Sequence, residues 1–176
     1  VGDINWNKNV VGLINAFSQI KDNKTALVLV GKAFTGSAIT PELQAINEAI
    51  NNSPKKQLIK RLGFLPTHHL SAIYKGATLY VQPSWYEGFG FPVIEALSQG
   101  TPVLSSNCGS LPEVGGEYAH YFDPNNQDEL IAKLQELISN NKLRTKYQEA
   151  GITWSKKFTW KNVAEETLRV YEKYAR

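Results

Sequence analysis

Glu87 and Glu95 bracket the segment Gly88-Phe89-Gly90-Phe91-Pro92-Val93-Ile94. A carboxylate offers two acceptor oxygens, the complement of a pair of sugar hydroxyls. Gly88 and Gly90 let a backbone come close to a ligand, or take conformations that other residues resist. Pro92 suits the first position of a helix. The start of a helix presents free N–H groups and the positive end of its dipole, which together hold a phosphate. Glu95 then lies about one turn inside the helix and Glu87 in the loop before it, so the two carboxylates can flank one crevice. Donors for a phosphate and acceptors for hydroxyls are what a nucleotide sugar requires. The same residues also fit a tight turn followed by an ordinary exposed helix glutamate, because glycine-rich strand-to-helix loops are common.

Such a loop needs a strand before it and a helix after it. Ala77 to Gln82 predicts the strand, and Pro92 to Gln99 predicts the helix, closed by Gly100. Apolar runs and helical patterns alternate along the rest of the chain. Val10, Leu13, Ile14 and Phe17 share one helical face. Ala26 to Gly31 is continuously apolar, as a strand buried on both faces requires. Thr40 and Pro41 form a cap and a first helical residue for the stripe Leu43, Ile46 and Ile50. Gln57 to Leu62, Pro102 to Ser105 and Ala119 to Phe122 predict further strands, and Thr67 to Lys75 a short helix. Leu130, Ile131, Leu134, Leu137 and Ile138 mark an amphipathic helix with Asp128 and Glu129 near its start. Two more helical patterns cover about 142–156 and 160–175, where Trp154, Phe158, Trp160, Tyr171 and Tyr174 read as packing residues. With an opening strand ending at Val1-Gly2, about six parallel strands alternate with helices. The expectation is one doubly wound α/β domain over residues 1–176, with helices on both faces and extra helices at the C-terminal end. Ligands bind such sheets beyond the carboxyl ends of the strands, where the Glu87 loop falls.

Composition narrows the classes. The 176 residues suffice for one domain with a substantial core. A net charge of +3 is too weak for a nucleic-acid footprint. No apolar run approaches the ~18 residues of a membrane span. One cysteine, Cys108, excludes an internal disulfide and a cysteine-rich zinc site, and suits a reducing compartment. His68 and His69 have no matching Cys or Asp set, so they read as a solvated pair and not as metal ligands. There is no methionine, and the chain opens on Val1-Gly2-Asp3 without a signal or transit segment, so it reads as a piece of a longer protein. No Gly-x-Gly-x-x-Gly follows the first strand, which disfavours a dinucleotide dehydrogenase.

Glu87 to Glu95 resembles the E-x7-E signature of retaining glycosyltransferases of family 4, which have the GT-B fold. The likeness extends through Val1-Gly2, Lys8-Asn9, Leu13-Ile14-Asn15-Ala16-Phe17, Leu27-Val28-Leu29-Val30-Gly31 and Leu62-Gly63-Phe64-Leu65. It continues through Ala96-Leu97-Ser98-Gln99-Gly100-Thr101-Pro102-Val103, Gly109-Ser110-Leu111-Pro112-Glu113-Val114 and Phe158-Thr159-Trp160. Members have two Rossmann-like domains, and this chain is similar to the C-terminal, donor-binding one. The last helix of full-length members often crosses back to the other domain, which leaves some of its faces exposed here.

The resemblance implies roles by position. Glu87 would contact the transferred sugar and Lys8 would pair with the diphosphate, and these two are the expected catalytic residues. Gly88, Phe89, Gly90 and Phe91 would hold sugar hydroxyls and the distal phosphate. Glu95 would bond the ribose, and Gly63, Phe64 and Leu65 would border the base. Glu87 as a covalent nucleophile is a minority reading. Many members carry an Arg where Asp3 stands; Lys32 is either its replacement or a solvated loop lysine. Glu113 serves either a ligand or a cap. No Asp-x-Asp occurs, so metal-independent transfer without a cofactor is expected. The opening residues and the Phe-Gly-Phe-Pro loop are similar to bacterial polysaccharide mannosyltransferases. That makes GDP-mannose the first donor and a UDP-sugar the second. The expected acceptor is a saccharide or a lipid-linked one, reached through the other domain, in the cytoplasm or at the inner membrane face. A non-catalytic nucleotide-sugar binding module and an epimerase on the same fold are the alternatives.

Overall fold

The computed structural model describes residues 1–36 and 40–175. Its regular elements alternate as the apolar pattern requires. They are α1 (Val10–Gln19), β1 (Leu27–Val30), α2 (Pro41–Asn52), β2 (Ile59–Leu62), α3 (Thr67–Gly76), β3 (Tyr80–Gln82), α4 (Phe91–Ser98) and β4 (Val103–Ser106). Then come α5 (Leu111–Gly115), β5 (His120–Phe122), α6 (Gln127–Ser139), α7 (Asn141–Ser155) and α8 (Trp160–Tyr174). The caps obey the sequence. Thr40 Oγ1 accepts from the Leu43 N–H at 3.2 Å, with Pro41 behind it. Asn126 Oδ1 accepts from the Glu129 N–H at 3.1 Å to open α6.

All pairing among the described residues is parallel. β1 lies beside β2, with Leu27 opposite Ile59. β3, β4 and β5 form a second sheet, with Tyr80 opposite Val103 and Leu104 opposite His120. Among the described residues, five strands in two sheets replace the six expected. Residues 1 and 2 are too few for a ladder and contribute one bond, from the Gly2 N–H to the Val30 carbonyl at 2.9 Å. β1 and β3 are not bonded to each other. A cleft of about 600 Å³ separates them, lined by Val1, Val28, Leu29, Leu79 and Val81. Val28 is consequently exposed, against the expectation of a strand buried on both faces.

Apolar clusters cover both faces of the strands. Ile14, Phe17, Ile46, Phe122, Leu130 and Leu134 join α1, α2 and α6 on one side. Tyr74, Val93, Leu97, Leu111 and Val114 join α3, α4 and α5 on the other. All four residues of β4 are buried, so it is the central support. Helix α7 packs on α4, with Gly151 admitting Leu97.

The C-terminal aromatics divide. Trp154 donates to the Val114 carbonyl at 2.8 Å and Phe158 lies against it, so these two do pack. No residue of α8 is buried, and Trp160, Tyr171 and Tyr174 are exposed, contrary to the packing expected of them. On the apolar side of α8, Val163, Leu168 and Val170 are exposed as well. No helix among the described residues is long and apolar enough to cross a membrane.

Candidate functional site

β3 delivers the chain to the Glu87 loop. The loop returns through Gly90 into α4 at the carboxyl end of the sheet. Gly90 has φ +109°, and a Cβ there would approach Leu111 Cδ2 to 2.7 Å. Glycine is therefore required at this turn on two counts. Gly88 has neither constraint: its φ is ordinary, and a Cβ would meet nothing within 4 Å. Helix α4 begins at Phe91, one residue before the predicted start, with no side chain capping its first turn.

The neighbouring loop after β4 shapes the backbone. Ser110 Oγ donates to the carbonyls of Glu87 and Phe89, at 3.0 and 2.6 Å. Gly109, at φ +58°, lies so close that a Cβ would stand 2.8 Å from the Glu87 carbonyl. Phe89 packs on Phe91 at 4.8 Å and on Phe158 at 6.0 Å. The late Phe158 motif thus buttresses the glycine loop.

The opening segment crosses to meet this loop. Asn7 accepts from the Trp85 N–H at 2.8 Å and donates through Nδ2 to the Tyr86 carbonyl at 2.9 Å. Asn9 then turns the chain with φ 49°, a conformation asparagine tolerates. A Cβ on Gly12 would stand 2.3 Å from Asn9 Oδ1, so that glycine makes room for the turn. The result carries Lys8 to Glu87. Lys8 Nζ donates to Glu87 Oε1 at 2.7 Å and Oε2 at 2.9 Å. Lys8 and Glu87, which the family resemblance assigns to different parts of one ligand, are bonded to each other.

Behind Glu87 stand residues the sequence reading did not single out. Gln82 Nε2 donates to Glu87 Oε1 at 2.7 Å and to Ser84 Oγ at 2.8 Å. Ser84 Oγ donates to Glu87 Oε1 at 2.7 Å. The Tyr80 hydroxyl donates to Gln82 Oε1. Tyr74, edge-on to Tyr80 at 5.5 Å, donates to Glu95 Oε2 at 2.9 Å. Burial, chiefly, pushes both tyrosine hydroxyls well above their ordinary range, so both remain donors. A glutamine and a serine at the end of an apolar strand were the available signal, since buried polar groups need partners.

The other expected residues fall at the same end of the sheet, with fewer contacts. A Cβ on Gly63 would stand 2.6 Å from Thr35 Oγ1, beyond the end of β1. Phe64 is exposed and Leu65 half-buried. Asp3 and Lys32 are both exposed. Glu113 is exposed in the first turn of α5, where a carboxylate suits the helix dipole. Trp85 and Tyr86 are exposed, and Trp85 stacks on Trp6 at 6.3 Å. His68 and His69 are exposed. Among the described residues no three His, Cys, Asp or Glu cluster as a metal site would require.

Known proteins resemble this chain in sequence and in fold. The chain is 30% identical over 173 residues to the O-antigen chain mannosyltransferase B of Escherichia coli, covering 98% of this chain and 44% of that protein. The chain thus spans less than half the length of this relative. Among solved structures, a sucrose-phosphate synthase from Thermosynechococcus elongatus superposes with a TM-score of 0.86 at 24% identity, over 98% of this chain and 44% of that one. The Anabaena protein HepE in complex with UDP-glucose superposes with a TM-score of 0.82 at 19% identity, over 98% and 48%. These two establish the likeness of fold. Residues 1–154 match the family described as glycosyl transferases group 1, and the chain belongs to that family.

Proposed function

We propose that residues 1–176 are the donor-binding half of a retaining glycosyltransferase, with the pocket between the Lys8 segment, the Glu87 loop and the start of α4. The observation that carries this reading is the pair of carboxylates anchored by buried donors beside an uncapped helix start. Gly88 adds to it. The fold does not need a glycine there, whereas a ligand touching backbone does. A turn that served only the fold would require Gly90 and be indifferent to Gly88.

In this reading Glu95 accepts from the ribose and Glu87 from the donor sugar. The N–H groups at the start of α4 receive the distal phosphate, and Gly63, Phe64 and Leu65 border the base. Cleavage of the sugar–phosphate bond leaves negative charge on the diphosphate. Preorganised N–H groups and the Lys8 ammonium stabilise that charge as it develops. Lys8 spends its bonds on Glu87 in the free protein and has one hydrogen left for a phosphate oxygen. The acceptor, a saccharide or a lipid-linked one, enters from the other half of the enzyme.

GDP-mannose is the favoured donor, because the Escherichia coli relative is named a mannosyltransferase. A UDP-sugar is the second reading, favoured by the UDP-glucose held by HepE. The test is the thermal midpoint of this chain with GDP, UDP and ADP, each alone and as a common sugar conjugate. A ligand at one hundred times its dissociation constant adds about 2.7 kcal/mol, a shift of several degrees. The expected result is a shift with GDP that grows with GDP-mannose. A larger shift with UDP-glucose moves the donor to the second reading, and no shift with any of them overturns the pocket.

A further inference from the structure

The hydrogen bonds behind Glu87 all run one way. The Tyr80 hydroxyl donates to Gln82 Oε1 and so fixes which way the amide points. The amide nitrogen must then face Ser84 and Glu87, and it donates to both. The Ser84 oxygen, already accepting from Gln82, gives its own hydrogen to Glu87 Oε1. Lys8 adds a bond to each carboxylate oxygen. Oε1 thus receives three donors and Oε2 only one. Each carboxylate oxygen has two lone pairs, so Oε1 is more than filled by three donors, while Oε2, with one, keeps a free lone pair. Gln82 and Ser84 are 3% and 0% exposed, which keeps both from touching a ligand. Burying an amide and a hydroxyl at the end of an apolar strand costs stability unless their bonds are used. Here both end on one oxygen of Glu87.

We propose that Gln82 and Ser84 are positioning residues that occupy Oε1 of Glu87 and leave Oε2 as the oxygen that receives a hydroxyl of the donor sugar. The proposal rests on the donor-half reading above. It makes Glu87 an oriented acceptor whose second oxygen is aimed by the strand beneath it. Tyr80 sets the direction of the chain from the core, one residue pair further back.

The sugar contacts are isolated by comparing a nucleotide with its sugar conjugate. Titration calorimetry of this chain with GDP and GDP-mannose, repeated with UDP and UDP-glucose, supplies that ratio for each variant. Ser84→Ala and Gln82→Leu are expected to lower affinity for the sugar conjugate about tenfold while leaving the bare nucleotide within about twofold. Ser84→Thr, which keeps the hydroxyl, is expected to restore the wild-type ratio. Tyr80→Phe is expected to fall between, since the amide loses the donor that orients it. Circular dichroism confirms that each variant is folded. Equal losses for nucleotide and conjugate overturn the proposal and leave a structural role only, as does an unchanged ratio in Ser84→Ala. Binding of neither ligand by the wild-type chain overturns the donor reading itself, a different failure from an unchanged ratio.

Discussion

Glu87 and Glu95 stand at the two ends of one loop-to-helix unit, and they are held in different ways. Glu87 is bonded by Lys8, Gln82 and Ser84, and its side chain is 12% exposed. Glu95 has one bond, from Tyr74, and faces solvent. The first carboxylate is part of the architecture, because three donors from two segments depend on it. The second is a surface group steadied by a single buried hydroxyl. A residue can therefore belong to a binding site while serving the fold, or belong to it while the fold hardly notices.

Exchanging stability for binding as the readout separates the two. The largest effect expected is Glu87→Ala, which leaves Lys8 and Ser84 without an acceptor and Gln82 with Ser84 alone. Its unfolding free energy in urea should fall by about 3 kcal/mol, the scale of breaking a buried ion pair. Glu95→Ala should behave inversely. Nucleotide affinity should fall by about 2 kcal/mol in a titration, with a stability loss of about 1 kcal/mol from the orphaned Tyr74 hydroxyl. If Glu95→Ala binds as the wild type does, Glu95 leaves the site.

The two glycines sharpen the same contrast. Gly90→Ala should cost about 2 kcal/mol in thermal or chemical unfolding, from its φ and the encounter with Leu111. Gly88→Ala should change stability by no more than about 0.5 kcal/mol and still weaken donor binding. A destabilised Gly88→Ala with normal binding would make the loop a turn and nothing more. On nucleotide affinity, Tyr74→Phe should act in the same direction as Glu95→Ala and less strongly. Freeing Glu95 should lower nucleotide affinity by about 1 kcal/mol, read in the same titration.

Much of this arrangement is legible in the sequence. The Thr40 cap, the stop at Gly100 and the stripe on α6 followed from local rules of spacing and backbone conformation. Glu87 and Glu95 were located because the glycines and Pro92 between them imply a loop feeding a helix. What was hidden has a common cause. Lys8 meets Glu87 across 79 residues of chain, and no periodicity encodes such a partner. Gln82 and Ser84 lie near Glu87 in sequence, yet an apolar pattern reports which residues are buried and not which donor meets which oxygen. Helix α5 has five residues, too short for a helical period. The exposure of α8 depends on what lies against it, which its own strongly apolar side leaves open.

The distance along the chain between Lys8 and Glu87 also bears on folding order. Their contact closes a loop of 79 residues, and the entropy of closing it is lost before the contact rewards it. The segment carrying Lys8 is tied down by few bonds, to Val30, Trp85, Tyr86 and Glu87. Such segments open far below the free energy of global unfolding. Hydrogen exchange should therefore find the Trp85 amide, whose acceptor is Asn7, exchanging long before the amides of β4. The pocket would then assemble last and come apart first, so that a ligand bridging both sides would slow that exchange.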